Sequence, residues 1–262
     1  MDEKDFKQHL YTFRWYGNHL LENPNEWQKV GKDLVELTTD LIDGKAQIEE
    51  PERPTAHYEI PVMKELDFKY TTRGKYLTKS GKPKGLIVHY TAGRPSAYNT
   101  AVYLKNRGLG CMVMDEEGKI LTAQGMDEVA WHAGSSKHPF VDEVTGLSRY
   151  CMGMEIVNPG MVEKRADGLF YSWFGAPYGV DEVRYATGHD NIKQGHYVPF
   201  TDAQEQALIN FCKWQLATND EFEIDWILGH DEIAPGRKSD PGAALSMSMP
   251  DFREMLRTAK QG

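Results

Sequence analysis

Residues 85–90, Gly-Leu-Ile-Val-His-Tyr, form a short and continuous apolar run that follows a turn-rich Lys-Ser-Gly-Lys-Pro-Lys stretch. A run of this length after turn residues is typical of a buried β-strand. In the next segment Ala97, Ala101 and Leu104 share one helical face, and Gly108 supplies a stop. The two segments together predict a strand with a helix packed against it, which is a building unit of α/β folds.

The alternation of strands and helices continues toward the C-terminus. Thr201, followed three residues later by Gln204, forms a capping box ahead of an amphipathic pattern and predicts a helix. Asp-Glu-Glu-Gly at 115–118 lies between two short apolar runs and predicts a β-hairpin. The predicted strands cover 85–90, 111–114, 119–122, 152–157 and 226–228, and the predicted helices cover 96–107 and the residues after Thr201. The fold class is therefore predicted to be α/β, with a central mixed β-sheet flanked by helices.

The first 75 residues have a different pattern. Apolar residues at helical spacing on both sides of a turn near Asn23 predict a helical hairpin. Three prolines among charged residues at 49–61 predict an exposed connector. Domains commonly contain ~100 to 200 residues, so a chain of 262 residues suits a main domain with a smaller appendage. We predict an N-terminal helical region with its connector at 1–75 and a main domain at 76–262.

Composition and charge exclude several classes of protein. With 40% hydrophobic and 26% charged residues, the chain has the composition of a folded globular protein. A net charge of -9 and the lack of a strong Lys or Arg run argue against nucleic-acid binding. No apolar run reaches the ~20 residues that a membrane-spanning helix needs, so membrane insertion is not expected.

The termini and cysteines bear on the cellular compartment. The charged N-terminus has no apolar segment of the kind that a secretory signal contains, so none is predicted. Cys111, Cys151 and Cys212 are far apart and lie in apolar surroundings. They are predicted to be buried, reduced thiols.

Two histidines lie at the ends of predicted strands, where an α/β sheet can bring ligands into one crevice. His89 is near the end of the first strand, and His230 follows the last one. Asp240 comes ten residues after His230, in a loop whose prolines and glycines could return a carboxylate to the imidazoles. Two imidazoles and one carboxylate leave a fourth tetrahedral position open, as in catalytic zinc sites. A histidine taken alone is more often a hydrogen-bonded structural residue, so the interpretation depends on the surrounding sequence.

Four short motifs surround these residues. They are Val-His-Tyr-Thr-Ala-Gly at 88–93, Ala-Trp-His-Ala-Gly at 130–134, Met-Gly-Met-Glu-Ile at 152–156 and Gly-His-Asp-Glu-Ile-Ala-Pro-Gly-Arg-Lys-Ser-Asp-Pro-Gly at 229–242. In this order and spacing they resemble the N-acetylmuramoyl-L-alanine amidases of the second type. That family shares its fold with peptidoglycan recognition proteins and phage amidase lysins. The resemblance covers about residues 80–257, its last motif is highly specific, and it does not extend to 1–75.

The resemblance implies roles for five residues. His89, His230 and Asp240 would hold Zn²⁺, Glu155 would be the general base, and Lys238 would stabilise the oxyanion of the tetrahedral intermediate. A carboxyl on a buried apolar strand is costly unless it faces a cleft or has a partner, which agrees with the role of Glu155. The alternatives are a strand-end salt bridge for Glu155 and a solvated loop lysine for Lys238.

Two further features are candidates for substrate contact. His132, in the Ala-Trp-His-Ala-Gly motif, is predicted to line the site and contact glycan or peptide. The alternative for His132 is a histidine that donates to a backbone carbonyl. The segment 161–199 carries many aromatic residues, among them Trp173, that could line a substrate groove or form a local core beneath a long loop.

The resemblance implies hydrolysis of the amide bond between the muramoyl lactyl group and L-alanine, with Zn²⁺ as cofactor and peptidoglycan or a muropeptide as substrate. We favour a phage-type endolysin, made in the cytoplasm and acting on the cell wall after release, because residues 1–75 could dock on the wall. A cytoplasmic amidase that recycles soluble anhydro-muropeptides would share every site residue. A non-catalytic peptidoglycan-binding protein is the third alternative, and the complete ligand set argues against it. The oligomeric state is not predicted.

Overall fold

The computed structural model describes residues 64–65 and 82–261, except 108, 111 and 123–129. Within these residues, six strands form a central mixed sheet and five short strands form a second, antiparallel sheet. The predicted α/β class, with a mixed central sheet and flanking helices, is confirmed. The predicted helical hairpin, the connector and the boundary at residue 75 lie outside the described residues, as does Cys111.

The secondary-structure elements alternate along most of the chain. The strands are β1 Lys64–Glu65, β2 Gly85–Tyr90, β3 Met112–Met114, β4 Ile120–Thr122, β5 Cys151–Ile156, β6 Met161–Lys164, β7 Phe170–Tyr171, β8 Pro177–Tyr178, β9 Arg184–Ala186, β10 Gly195–Tyr197 and β11 Ile227–Gly229. The α-helices are α1 Ala97–Asn106, α2 Asp202–Thr218, α3 His230–Ile233 and α4 Met249–Gln261. Short 3₁₀ turns occupy Leu147–Arg149, Val180–Glu182, Ile224–Trp226 and Gly242–Ala244. None of the described helices is long and apolar enough to cross a membrane.

The central sheet has the order β1-β4-β3-β5-β2-β11. Strands β3, β5, β2 and β11 run parallel to one another, while β4 is antiparallel to β3. Strand β1 pairs with β4 at the edge, so two residues from the predicted N-terminal region take part in this sheet. Parallel neighbours end at the same edge, and this is what brings the ends of β2, β5 and β11 together.

Strands β2 and β5 occupy the centre of the sheet and are covered on both faces. Leu86 and Val88 belong to a large core that includes Phe211 of α2 and Phe252 of α4. Ile87, on the opposite face, packs in a smaller core that also contains Cys151, Leu147 and Ile233. A strand buried on both faces carries a continuous apolar run rather than an alternating one, which explains the sequence of 85–90.

Most of the predicted elements are present with small shifts of boundary. The hairpin β3–β4 turns at Asp115, whose carboxylate accepts from the backbone N–H groups of Glu117 and Lys119. The capping box of α2 is formed, because the Thr201 hydroxyl accepts from the Gln204 N–H while the Gln204 side chain accepts from the Thr201 N–H. The last strand begins one residue later than predicted, since a 3₁₀ turn precedes it.

The second sheet is the main feature that the sequence did not predict. The segment 161–199, for which the sequence left open a substrate groove or a local core beneath a long loop, contains five antiparallel strands of two to four residues in the order β8-β7-β6-β10-β9. Asn158 anchors this sheet to the end of β5, because its amide group donates to the carbonyls of Val198 and Pro199. The C-terminal helix α4 was not predicted either.

Candidate metal centre

His89, His230 and Asp240 form a compact, buried cluster. His89 Nδ1 lies 2.8 Å from His230 Nδ1 and 3.0 Å from Asp240 Oδ2. His230 Nδ1 lies 2.8 Å from the same carboxylate oxygen. The three residues are exposed by only 1%, 3% and 7%, in that order. Three potential ligand atoms from distant parts of the chain therefore surround one point.

The fold explains how these residues meet. His89 is the fifth residue of β2, and His230 begins α3 immediately after the neighbouring parallel strand β11. Asp240 returns to them because Asp231 closes the intervening loop: its N–H donates to the Asp240 carbonyl at 2.8 Å, and its carboxyl accepts from the Gly242 N–H at 3.2 Å. In the structure this loop brings the Asp240 carboxylate next to the two imidazoles.

Hydrogen bonds on the far side of each imidazole determine which ring nitrogen carries the proton. His132 Nε2 lies 2.9 Å from the Cys151 carbonyl, which can only accept, so Nε2 must donate and His132 Nδ1 must accept. His132 Nδ1 lies 3.0 Å from His89 Nε2, which is therefore the protonated nitrogen of His89. His230 Nε2 donates in the same way to the Ala133 carbonyl at 3.1 Å. Both Nδ1 atoms are left with a lone pair directed at Asp240.

Three acceptor atoms within 3.0 Å of one another repel unless a cation lies among them. A proton on His89 would be that cation only at low pH, because burial and then the charge of His230 lower the pKa of His89 to about 4. Burial alone would raise the pKa of Asp240, but the two imidazoles that contact its carboxylate outweigh burial and hold the pKa below its ordinary range. Two neutral imidazole nitrogens and a carboxylate oxygen are the donor set of open zinc sites. The residues fit a Zn²⁺ ion.

The cluster lies in a cleft of about 430 Å³ that also contains Glu155, Lys238 and His132. Glu155 on β5 is the register partner of His89 on β2, so the two side chains are neighbours on the same face of the sheet. Burial, followed by the charge of Asp240, raises the pKa of Glu155 to about 8, while the charge of Lys238 lowers it. Among the described residues Glu155 takes part in no ion pair, so the structure does not support a strand-end salt bridge.

The loop that carries Lys238 is fixed by neighbours that the sequence analysis did not single out. The Tyr90 hydroxyl lies 2.7 Å from the Ser239 hydroxyl. The Arg237 guanidinium donates to the carbonyls of Ala133 and Ser135 at 3.0 and 2.6 Å. Arg237 and Ser239 flank Lys238, so both attachments restrain its backbone. The only sequence signal for this restraint is that Arg237 and Ser239 lie within the 229–242 motif.

All six predicted site residues line the same cleft, although their chemical roles remain predictions. For His132 the structure shows the alternative that the sequence left open, since its ring donates to a backbone carbonyl. Both of its ring nitrogens are engaged within the protein, and contact of its ring with a substrate stays a prediction.

The fold and the cleft define a class of protein: an α/β protein with three clustered potential metal ligands, a partly buried carboxyl and a lysine at the edge of a parallel strand pair. A family model for N-acetylmuramoyl-L-alanine amidase matches residues 79–243, which is more than half of the chain. The chain therefore belongs to the N-acetylmuramoyl-L-alanine amidase family.

Several solved structures are similar to this chain, and no curated protein matches it. AmpD, solved as a selenomethionine derivative, has 18% identity and a TM-score of 0.44 over 74% of this chain and 93% of its own. The amidase AmiD from E. coli, in complex with anhydro-N-acetylmuramic acid-L-Ala-D-gamma-Glu-L-Lys, has 24% identity and a TM-score of 0.46 over 72% of this chain and 62% of its own. The endolysin LysCS from Clostridium intestinale has 14% identity and a TM-score of 0.46 over 76% of this chain and 97% of its own.

Proposed function

We propose that this protein is a zinc-dependent amidase that hydrolyses the bond between the muramoyl lactyl group and L-alanine of bacterial peptidoglycan. The observation that carries the proposal is the cluster of His89, His230 and Asp240, whose potential ligand atoms lie 2.8 to 3.0 Å apart. Family membership and the presence of Glu155 and Lys238 in the same cleft support it. The complete donor set favours an enzyme over a non-catalytic binding protein.

Zinc, when bound, supplies Lewis-acid polarisation of the lactyl carbonyl and lowers the pKa of a water molecule toward ~7. Glu155 accepts a proton from the attacking water as the new C–O bond forms. Glu155 then returns this proton to the amide nitrogen, so that the C–N bond breaks and L-alanine leaves as an amine. Because burial raises its pKa, Glu155 is suited both to accept and to donate near neutral pH.

Lys238 takes part in this mechanism, whereas the cysteines do not. The Lys238 ammonium faces the cleft from a restrained loop and stabilises the negative charge that develops on the lactyl oxygen. Cys151 and Cys212 are free and buried, and burial raises the pKa of both thiols far above the ordinary value. Neither is a nucleophile, and hydrolysis proceeds without a covalent enzyme intermediate.

We further propose that the protein acts as a phage-type endolysin, made in the cytoplasm and acting on the cell wall after release. The family match begins at residue 79, and the N-terminal region at 1–75 would dock on the wall. The alternative is an amidase that recycles soluble anhydro-muropeptides.

One experiment tests both proposals. Intact sacculi and soluble anhydro-muropeptides are offered in parallel, and mass spectrometry identifies the released peptides, with and without prior removal of zinc. We expect free L-alanine N-termini, loss of activity on chelation and a preference for sacculi. Full activity after exhaustive metal removal would contradict zinc dependence, and a preference for soluble muropeptides would identify a recycling enzyme.

A further inference from the structure

Trp173 is the most exposed of the large apolar side chains described, at 77%. It lies in the turn between β7 and β8 of the second sheet. Its indole is held in place, because Nε1 donates to the carbonyl of Ala92. An indole that satisfies its polar atom at one edge and leaves the rest uncovered presents a flat apolar surface of fixed orientation.

The turn that carries Trp173 is well determined by hydrogen bonds. The buried Ser172 donates its N–H to the Ala176 carbonyl at 3.0 Å, and its hydroxyl accepts from the Ala176 N–H at 3.0 Å. Gly175 adopts a left-handed φ of 85° and donates to the Ser172 carbonyl. A loop closed in this way loses little conformational entropy when a ligand binds to it.

Neighbouring side chains brace the indole without covering it. The Phe174 ring contacts it edge to face at a centroid distance of 5.6 Å. The Arg94 guanidinium lies 5.2 Å from the centre of the Phe174 ring, which fixes Phe174 in turn. Trp173 therefore stays exposed although aromatic neighbours are present.

The position of Trp173 relates it to the metal centre. Ala92, whose carbonyl it contacts, lines the cleft three residues after His89. The indole is thus at the rim of the cleft in which the scissile amide would bind. An exposed aromatic plane of fixed orientation suits a sugar, which has apolar C–H groups on its ring faces and hydroxyls around its edge. A protein partner would need a wider apolar patch.

We propose that Trp173 is a glycan subsite that stacks on a sugar ring of the peptidoglycan strand adjacent to the muramoyl residue in the cleft. This inference rests on the proposed amidase function. It assigns the second sheet a purpose, which is to carry an aromatic surface to the rim of the cleft and so select substrates that retain an extended glycan.

The test uses the zinc-loaded full chain and its W173A and Y185A variants. Tyr185 is the matched control, because it is an aromatic residue of the same sheet and is 52% exposed. Binding of a peptide-free glycan oligosaccharide is measured by calorimetry. Hydrolysis is measured on two substrates that carry the same peptide, one with the muramoyl sugar alone and one with an additional sugar ring.

W173A is expected to weaken glycan binding about tenfold, as truncation of an interfacial tryptophan does. It should also reduce by about tenfold the ratio of kcat/KM on the extended substrate to kcat/KM on the short one, whereas Y185A should leave that ratio unchanged. Equal losses on both substrates, or weakened binding of free stem peptide instead of glycan, would overturn the proposal. If wild-type protein binds the glycan through Trp173 but cleaves neither substrate, the amidase proposal fails and the subsite stands.

Discussion

His132 should control zinc affinity although it is not a ligand. In the variant H132F the ring is replaced by an apolar ring of similar size, and His89 Nε2 loses the acceptor that lies 3.0 Å away. The proton of His89 is then free to move to Nδ1, the atom that would bind zinc. Loss of one hydrogen bond that orients a metal-bound histidine typically weakens metal binding about 10- to 100-fold.

The structure allows an independent estimate of this effect. His89 is almost fully buried, so its Nε2 proton finds no water when the acceptor is removed. A buried donor without a partner costs ~1 to 3 kcal/mol, and each ~1.4 kcal/mol corresponds to a factor of ten in affinity. Both estimates predict that the zinc Kd rises by about one to two orders of magnitude.

The assay is competition for zinc against a chromogenic chelator, with thermal unfolding of the metal-free proteins as a check on folding. H132N serves as the control, because an asparagine oxygen can occupy approximately the position of the histidine Nδ1 and accept the same hydrogen bond. We expect H132N to bind zinc more tightly than H132F. Wild-type affinity in a folded H132F protein would refute the assigned tautomers.

Four other perturbations test the centre itself. Replacing His89, His230 or Asp240 by alanine should abolish zinc binding and activity together, and stoichiometric zinc in all three purified variants would show that the ligands are misassigned. E155Q should keep zinc but lower kcat ~100- to 10,000-fold on a defined muramoyl-peptide, because glutamine cannot accept the proton. Near wild-type turnover would exclude Glu155 as the base. The profile of kcat/KM against pH should rise as Glu155 ionises, with a midpoint between its ordinary pKa of 4.5 and the value of about 8 that burial produces, since a bound cation lowers that pKa. K238A should slow turnover without releasing zinc and move this midpoint to higher pH, because Lys238 lowers the pKa of Glu155; an unchanged midpoint would argue against their interaction.

The elements that could be predicted from the sequence are those whose signals are local. The apolar run of β2 and the capping box at Thr201 each lie within one element. The convergence of His89 and His230 could be inferred because each residue lies at the end of a predicted strand, and the ends of parallel strands meet at one edge of a sheet. The return of Asp240 was predicted from the prolines and glycines of its loop, and the loop closure by Asp231 completes that explanation.

Features that depend on contacts between distant residues could not be predicted. The strands of the second sheet contain only two to four residues, which is too short for an alternating pattern to stand out. The engagement of His132 depends on the carbonyl of Cys151, and a backbone carbonyl carries no sequence signal. The contact between Trp173 and Ala92 joins residues 81 positions apart. Aromatic composition alone left a groove and a local core equally open.

The register of β2 and β5 places His89 directly beside Glu155 on adjacent strands, whose spacing in any sheet is ~4.8 Å. Strands at the centre of a sheet are usually among the last parts of a protein to open, so this spacing is insensitive to changes at the surface. Trp173, by contrast, projects from a separate sheet at the rim. Substitutions at the rim could therefore change which wall fragments the protein accepts, while the distance between His89 and Glu155 stays the same.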